Sequence, residues 1–189
     1  MKNTMVQECM QKIAGEIGMA SGGIAARQAQ RLTERIRQSR RIFVAGAGRS
    51  GLMMRAFAMR LMHMGFSSYV AGETITPAIE KRDLLVIGSG SGETESLVSM
   101  ARKAKKIGAF VVLITVCPRS SIAAHADEVI TVPATTAKVS QKTAINTIQP
   151  KGSLFEQVLL ILCEAVVVVL LQKEGIDYSK LMRLHANLE

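Results

Sequence analysis

"LLVIGSGSGETES", residues 84–96, passes in one step from an apolar run to a loop of glycines and hydroxyls. Leu84 to Ile87 are all apolar, and the nine positions that follow hold three glycines, three serines and a threonine. A short run of this kind, closed by glycine, reads as a strand buried on both faces. The residues after it carry helical periodicity over 94–107, so the unit is strand, glycine loop, helix. The same unit recurs on both sides. "IFVAG" (42–46) precedes a helical stretch at 50–64, and "FVVLITV" (110–116) precedes a short one near 120–126. Two more strand signals stand at "SSYVA" (67–71) and "EVITVP" (128–133). Apolar strands alternating with helices require crossover connections and a sheet covered on both faces, which places the chain in the α/β class.

Outside this core, residues 3–39 read as one long helix or two shorter ones broken around "ASGG" at 20–23, and they end in the basic cluster "RQSRR". Residues 134–152 are polar and without clear period, a length that marks a functional loop. A last long helix is expected over 153–173, followed by a tail that closes on "LMRLHANLE". There is no internal repeat and no low-complexity tract.

Composition narrows the possible functions. At 189 residues the chain suits one domain, expected here over 1–189 with N-terminal helices at 3–39, a core at 42–133 and a C-terminal helix and tail at 153–189. With no Trp and 11 Met, its core should be aliphatic. Cys9, Cys117 and Cys163 form neither a disulfide framework nor a CxxC metal site, which indicates a reducing, cytoplasmic location. The opening "MKNTMVQECMQK" has no apolar signal-peptide core. "VLLILCEAVVVVLL" (158–171) spans 14 residues and contains Glu164, short of the roughly 20 apolar residues that cross a bilayer. It reads as a buried helix, enclosed within the monomer or covered by a second subunit, with Glu164 in need of a partner. The net charge of +9 raises nucleic acid as a partner. However, Arg27, Arg31 and Arg35 recur every four positions as on a solvated helix face, so neither nucleic acid nor membrane is expected.

Two glycine loops compete for the functional reading. "GAGRSG" (46–51) matches G-x-G-x-x-G, and Glu73 follows 22 residues after Gly51, as in a dinucleotide fingerprint. "GSGSGETES" adds Ser89, Ser91, Thr94 and Ser96 to the same backbone plan. Glycines let amide groups turn toward an anion, the next helix presents its positive end, and hydroxyls donate to the remaining oxygens. Such a loop suits a single terminal phosphate. A helix cap needs only one of these residues, and the Walker loop is excluded because no Gly-Lys-Ser/Thr follows. Arg49 beside Ser50, and Arg119, Ser120 and Ser121 after the fourth strand, offer further donors.

Together, "AGAGRSG", "GSGSGETES", "PRSSIAAHAD", "TIQPKGSLFEQ" and the terminal "HANLE" resemble the sugar isomerase (SIS) domain family. Within that family they resemble the branch that converts 3-hexulose 6-phosphate into fructose 6-phosphate in the ribulose monophosphate pathway. The resemblance implies a three-layer αβα sandwich around a five-stranded parallel sheet of flavodoxin-like order. It also implies a homo-oligomer, a tetramer, with active sites shared between subunits, and no cofactor or metal. By the same resemblance Ser50 and the run Ser89, Gly90, Ser91, Gly92, Glu93, Thr94 hold a phosphorylated hexulose, and Glu156 moves the proton; Arg49, beside Ser50, is expected from its charge to add to the phosphate's binding. Lys151 departs from the family's usual "QPMGSLFEQ".

Moving a carbonyl from C3 to C2 requires a base for the C2 proton, a transient enediolate, and an acid that returns a proton to C3; one carboxylate can do both. By spacing alone, Ser153-Leu154-Phe155-Glu156 is also a capping box, a role compatible with the first. His63 is placed to donate to a substrate oxygen or to interact with the negative end of its helix, and His185 is an alternative proton carrier, across a subunit boundary. His125 is read as surface. Two other classes remain open: a non-catalytic phosphosugar sensor, and a nicotinamide-dependent enzyme resting on "GAGRSG" and Glu73.

Overall fold

The computed structural model describes residues 4–136 and 145–188. Five strands form one parallel sheet in the order β2-β1-β3-β4-β5, with β1 Ile42–Gly46, β2 Ser68–Val70, β3 Leu84–Gly88, β4 Phe110–Thr115 and β5 Glu128–Thr131. The helices are α1 Met5–Gly22, α2 Ala26–Gln38, α3 Gly48–His63, α4 Glu95–Ile107, α5 Ser153–Glu174 and α6 Tyr178–Arg183.

Side-chain alternation along the strands feeds two cores. Ile42, Val44, Leu84, Val86, Val112 and Ile114 face α1, α2, α3 and α5. Phe43, Ala45, Leu85, Ile87, Val111 and Leu113 face α4 and Ile122. The expected three-layer sandwich of flavodoxin-like order is therefore what the chain builds. Because β2 lies outside β1, the crossover from β2 to β3 reverses direction, and the switch point falls between β1 and β3.

Of the two forms read for the N-terminal stretch, the chain takes two helices, and the first is entered through a capping box in which Thr4 and Gln7 each satisfy the other's amide. Other elements differ from the sequence reading. The short helix near 120–126 contracts to a single 3-10 turn, Ala123–His125. The tail holds a helix of its own, α6, separated from α5 by Gly175 at φ +59°. Of the polar stretch 134–152, residues 137–144 lie outside the described residues.

The length argument against a membrane span does not survive, because α5 extends well past its apolar run to 22 residues and is long and apolar enough to cross a bilayer. Its packing argues otherwise. Leu154, Phe155, Val158, Leu159, Leu162, Val166 and Leu170 are buried in the core with α1, α2 and α3. Glu164 finds its partner within the chain, 3.6 Å from Arg60 Nε on α3.

Candidate active site at the carboxyl end of the sheet

Strand register decides which loops meet. Gly46, the last residue of β1, pairs with Gly88, the last residue of β3, so both glycine loops leave the sheet at the same level on either side of the switch point. After β1 the chain turns at once into α3. A Cβ on Gly51 would stand 2.7 Å from the Gly46 carbonyl oxygen, and one on Gly46 would stand 2.9 Å from the Gly51 nitrogen. These two glycines are consumed by the close contact of strand and helix. Glu73, the ribose candidate of the dinucleotide reading, is paired with Arg55 of α3.

The loop after β3 is stitched to β4 by its backbone. Ser89 N–H donates to the Ile114 carbonyl (3.0 Å), and the Gly90 carbonyl accepts from Val116 N–H and the Thr115 hydroxyl, both at 3.1 Å. Ser89 is buried, and its Oγ accepts from Gly92 N–H at 3.2 Å, which leaves its hydroxyl proton available to donate. Neither α3 nor α4 has a side-chain cap at its N-terminus, so their positive ends keep unsatisfied amides.

The third wall is the start of α5. Gly152, at φ +100°, takes the N-cap position, and Ser153 becomes the first helical residue. The capping box read from Ser153 and Glu156 is therefore absent: Glu156 N–H donates to the Gly152 carbonyl (3.1 Å), and the Glu156 carboxylate instead pairs with Arg49 Nε. This carboxylate is largely covered, with 16% of its side chain exposed, while Arg49 is mostly in solvent.

These three segments enclose a cavity of about 220 Å³. Ser50, Ser89, Gly90, Ser91, Thr94 and Glu156 line it, together with Lys151 and Thr136. Its size falls below the roughly 300–1,000 Å³ of sites for larger organic ligands, which favours a compact molecule over a dinucleotide. Thr136 was not singled out by the sequence, since nothing in its loop announces where it turns.

The remaining candidates lie elsewhere. Gly92, at φ +67°, packs against Ser120, and the Glu93 carboxylate accepts from Ser121 N–H at 2.9 Å; both brace the loop after β4 and neither lines the cavity. Arg49 borders the cavity only through its bond to Glu156. Arg119 is exposed. His63 and His185 are brought together, with ring centroids 4.9 Å apart. They sit at the far end of α3, about 20 Å from Ser50 at ~1.5 Å rise per residue, so within one chain neither histidine reaches the cavity. Burial, then the neighbouring His185 and Arg60, hold the His63 imidazole below its ordinary pKa.

Fold and cavity together define an open parallel α/β protein with its crevice at the carboxyl ends of β1 and β3, where the topology of this class places ligands. The chain belongs to the SIS domain family, whose pattern matches residues 35–161. It is similar to the 3-hexulose-6-phosphate isomerase of Bacillus subtilis (strain 168), at 46% identity over 182 residues covering 96% of this chain and 98% of that one. It is also similar to the protein of the same name from Mycobacterium gastri, at 44% identity over 177 residues covering 94% of this chain and 88% of that one. Among solved structures, a Methanococcus jannaschii protein whose 2.0 Å crystal structure infers a 3-hexulose-6-phosphate isomerase function superposes with a TM-score of 0.82. That protein is 34% identical, with 96% of this chain and 99% of the other covered.

Proposed function

We propose that this chain is a phosphosugar isomerase that interconverts 3-hexulose 6-phosphate and fructose 6-phosphate through a 2,3-enediolate, the step that serves the ribulose monophosphate pathway. One observation carries the reading: a glycine and hydroxyl loop, two uncapped helix ends and a largely covered carboxylate converge on a single small cavity. Ser50, Ser89, Ser91 and Thr94 take the phosphate, helped by the amides at the starts of α3 and α4. Glu156 takes the proton from C2 of the 3-ketose and returns it to C3 while the O2 hydroxyl proton passes to O3, and hydroxyl and amide donors hold the enediolate oxygens. Arg49, paired with Glu156, adds positive charge beside the cavity for the phosphate. Gly92 and Glu93 act one step back, by holding the loop in shape. The names of the relatives support the choice of sugar.

The histidines belong to this reading only across a subunit boundary. Their distance from the cavity in one chain, and the exposed apolar residues Ile161, Val168 and Val169 on α5 with Met59 and Met62 on α3, support a homo-oligomer in which a second copy brings the exposed His185, stacked on the buried His63, to the site. A tetramer is the expected assembly.

A coupled assay that follows fructose 6-phosphate formation from 3-hexulose 6-phosphate tests the activity. Turnover without any added cofactor supports it. A chain that binds the sugar phosphate, as seen by a thermal shift, without converting it is a sensor and refutes it.

A further inference from the structure

One buried acid has no part in the site described so far. Glu16 lies on α1, with 7% of its surface exposed, in a stretch of small and apolar residues, "IAGEIGMA". A carboxylate so covered is costly unless its oxygens are fully bonded. Three donors meet it: the Thr147 hydroxyl at 2.6 Å, Ile148 N–H at 2.9 Å and the Gln149 side-chain amide at 3.1 Å. Burial pushes this carboxyl up, but the bonds from Thr147, Ile148 and Gln149 outweigh that and leave it below its ordinary pKa.

The partners are what matter. All three belong to one tripeptide, more than 130 residues away in sequence, and it is the stretch that leads directly into the rim of the cavity. Gln149 N–H closes the tripeptide on itself by donating to the Thr147 hydroxyl oxygen (3.0 Å). The chain then turns, Ser153 N–H donating to the Pro150 carbonyl (3.1 Å), through Lys151 and the positive-φ Gly152 into the first turn of α5. Lys151, Gly152 and Glu156 all line the cavity. A carboxylate is an acceptor only, so it alone can receive all three donors without presenting a hydrogen of its own.

We propose that Glu16 is a positioning residue for Glu156: by clamping Thr147–Gln149 to α1 it fixes the turn from which the proton-transferring carboxylate is projected. This rests on the function proposed above. Misplacement of a reacting group by about 1 Å costs up to about 100-fold in rate, whereas the phosphate loop, though Gly90 lies against Phe155, is held by its own bonds to β4. The proposal therefore separates kcat from KM.

The test is Glu16→Gln, an isostere whose amide NH₂ faces a donor. Its kcat should fall about 10- to 100-fold while KM stays within about twofold. Thr147→Val, milder and partly exposed, should lower kcat in the same direction, and the double variant should be no slower than Glu16→Gln, because both act through one strap. Hydrogen exchange should quicken over 147–156 and stay unchanged over 84–96. Folded Glu16→Gln with near-normal kcat, or with unaltered exchange over 147–156, overturns the proposal. If Glu16→Gln does not fold, Thr147→Val decides by the same two readouts. If the wild-type chain does not isomerise the sugar at all, the proposed activity falls while the exchange comparison still decides the clamp.

Discussion

Gly92 separates residues that touch a ligand from residues that shape the loop. It stands at φ +67°, and an added Cβ would lie 2.5 Å from Ser120 Cβ, with Ser120 Oγ closer still; the next atom, Thr115 Oγ1, is 3.6 Å away. Gly92→Ala therefore carries two costs. The left-handed backbone costs an alanine about 1–2 kcal/mol. The overlap with a buried serine adds about 1–3 kcal/mol, as overpacking does elsewhere. The sum, about 2–5 kcal/mol, lowers the melting temperature by about 4–20 °C for a chain of this size. Since both close contacts are with one side chain, Ser120→Gly in the Gly92→Ala background should recover the overlap and leave only the backbone cost. Urea melts of the four proteins in this double-mutant cycle measure the coupling directly. A cycle in which Ser120→Gly recovers nothing, or a Gly92→Ala protein of wild-type stability with a raised KM, refutes this reasoning and returns Gly92 to the ligand.

Ser89→Ala removes a buried hydroxyl that accepts from Gly92 N–H and, in the proposed function, donates to phosphate; KM should rise about tenfold with kcat within about threefold, read from initial rates. Asp83, buried at the opposite end of β3, is pushed up by burial but held below its ordinary pKa by Arg41, Glu80 N–H and Arg40. The sign follows: stability from Asp83 is complete above the unfolded value near 4 and is lost as pH falls from there through the folded value. Asp83→Asn should cost about 2–4 kcal/mol at pH 7 and progressively less as pH falls below about 4, measured by urea melts across that range. For His63, also depressed in the folded chain, the unfolded chain takes up a proton first as pH falls below about 6.5, so stability declines from there toward acid. His63→Gln should flatten that decline between pH 7 and 5, as followed by thermal melts.

The alternation of short apolar strands and helices made the sheet legible, because burial on both faces leaves that pattern and few others do. The two glycine loops were legible as turns, and the register Gly46 to Gly88 turned them into one crevice. What the sequence concealed depends on contacts distant along the chain. Ser153 looks like a cap, yet Gly152 takes that position once the strap before it is tied down to α1. Glu16 reads as an ordinary helix acid; the small residues around it were its one local sign of burial. His63 and His185 each drew notice as single residues, but nothing local says that they stack on one another at the wrong end of α3 for a site in their own chain. The extent of α5, expected over 153–173 and found at Ser153–Glu174, was legible, but which of its faces the neighbouring helices cover was not.

The central claim is that Glu156 moves the proton at a site where other groups hold the phosphate. Glu156→Gln, assayed for turnover and for fructose 6-phosphate binding by thermal shift on one preparation, addresses it most directly. The account predicts a kcat lower by about 10²- to 10⁴-fold with sugar phosphate binding retained. Near-normal turnover in that variant would contradict it.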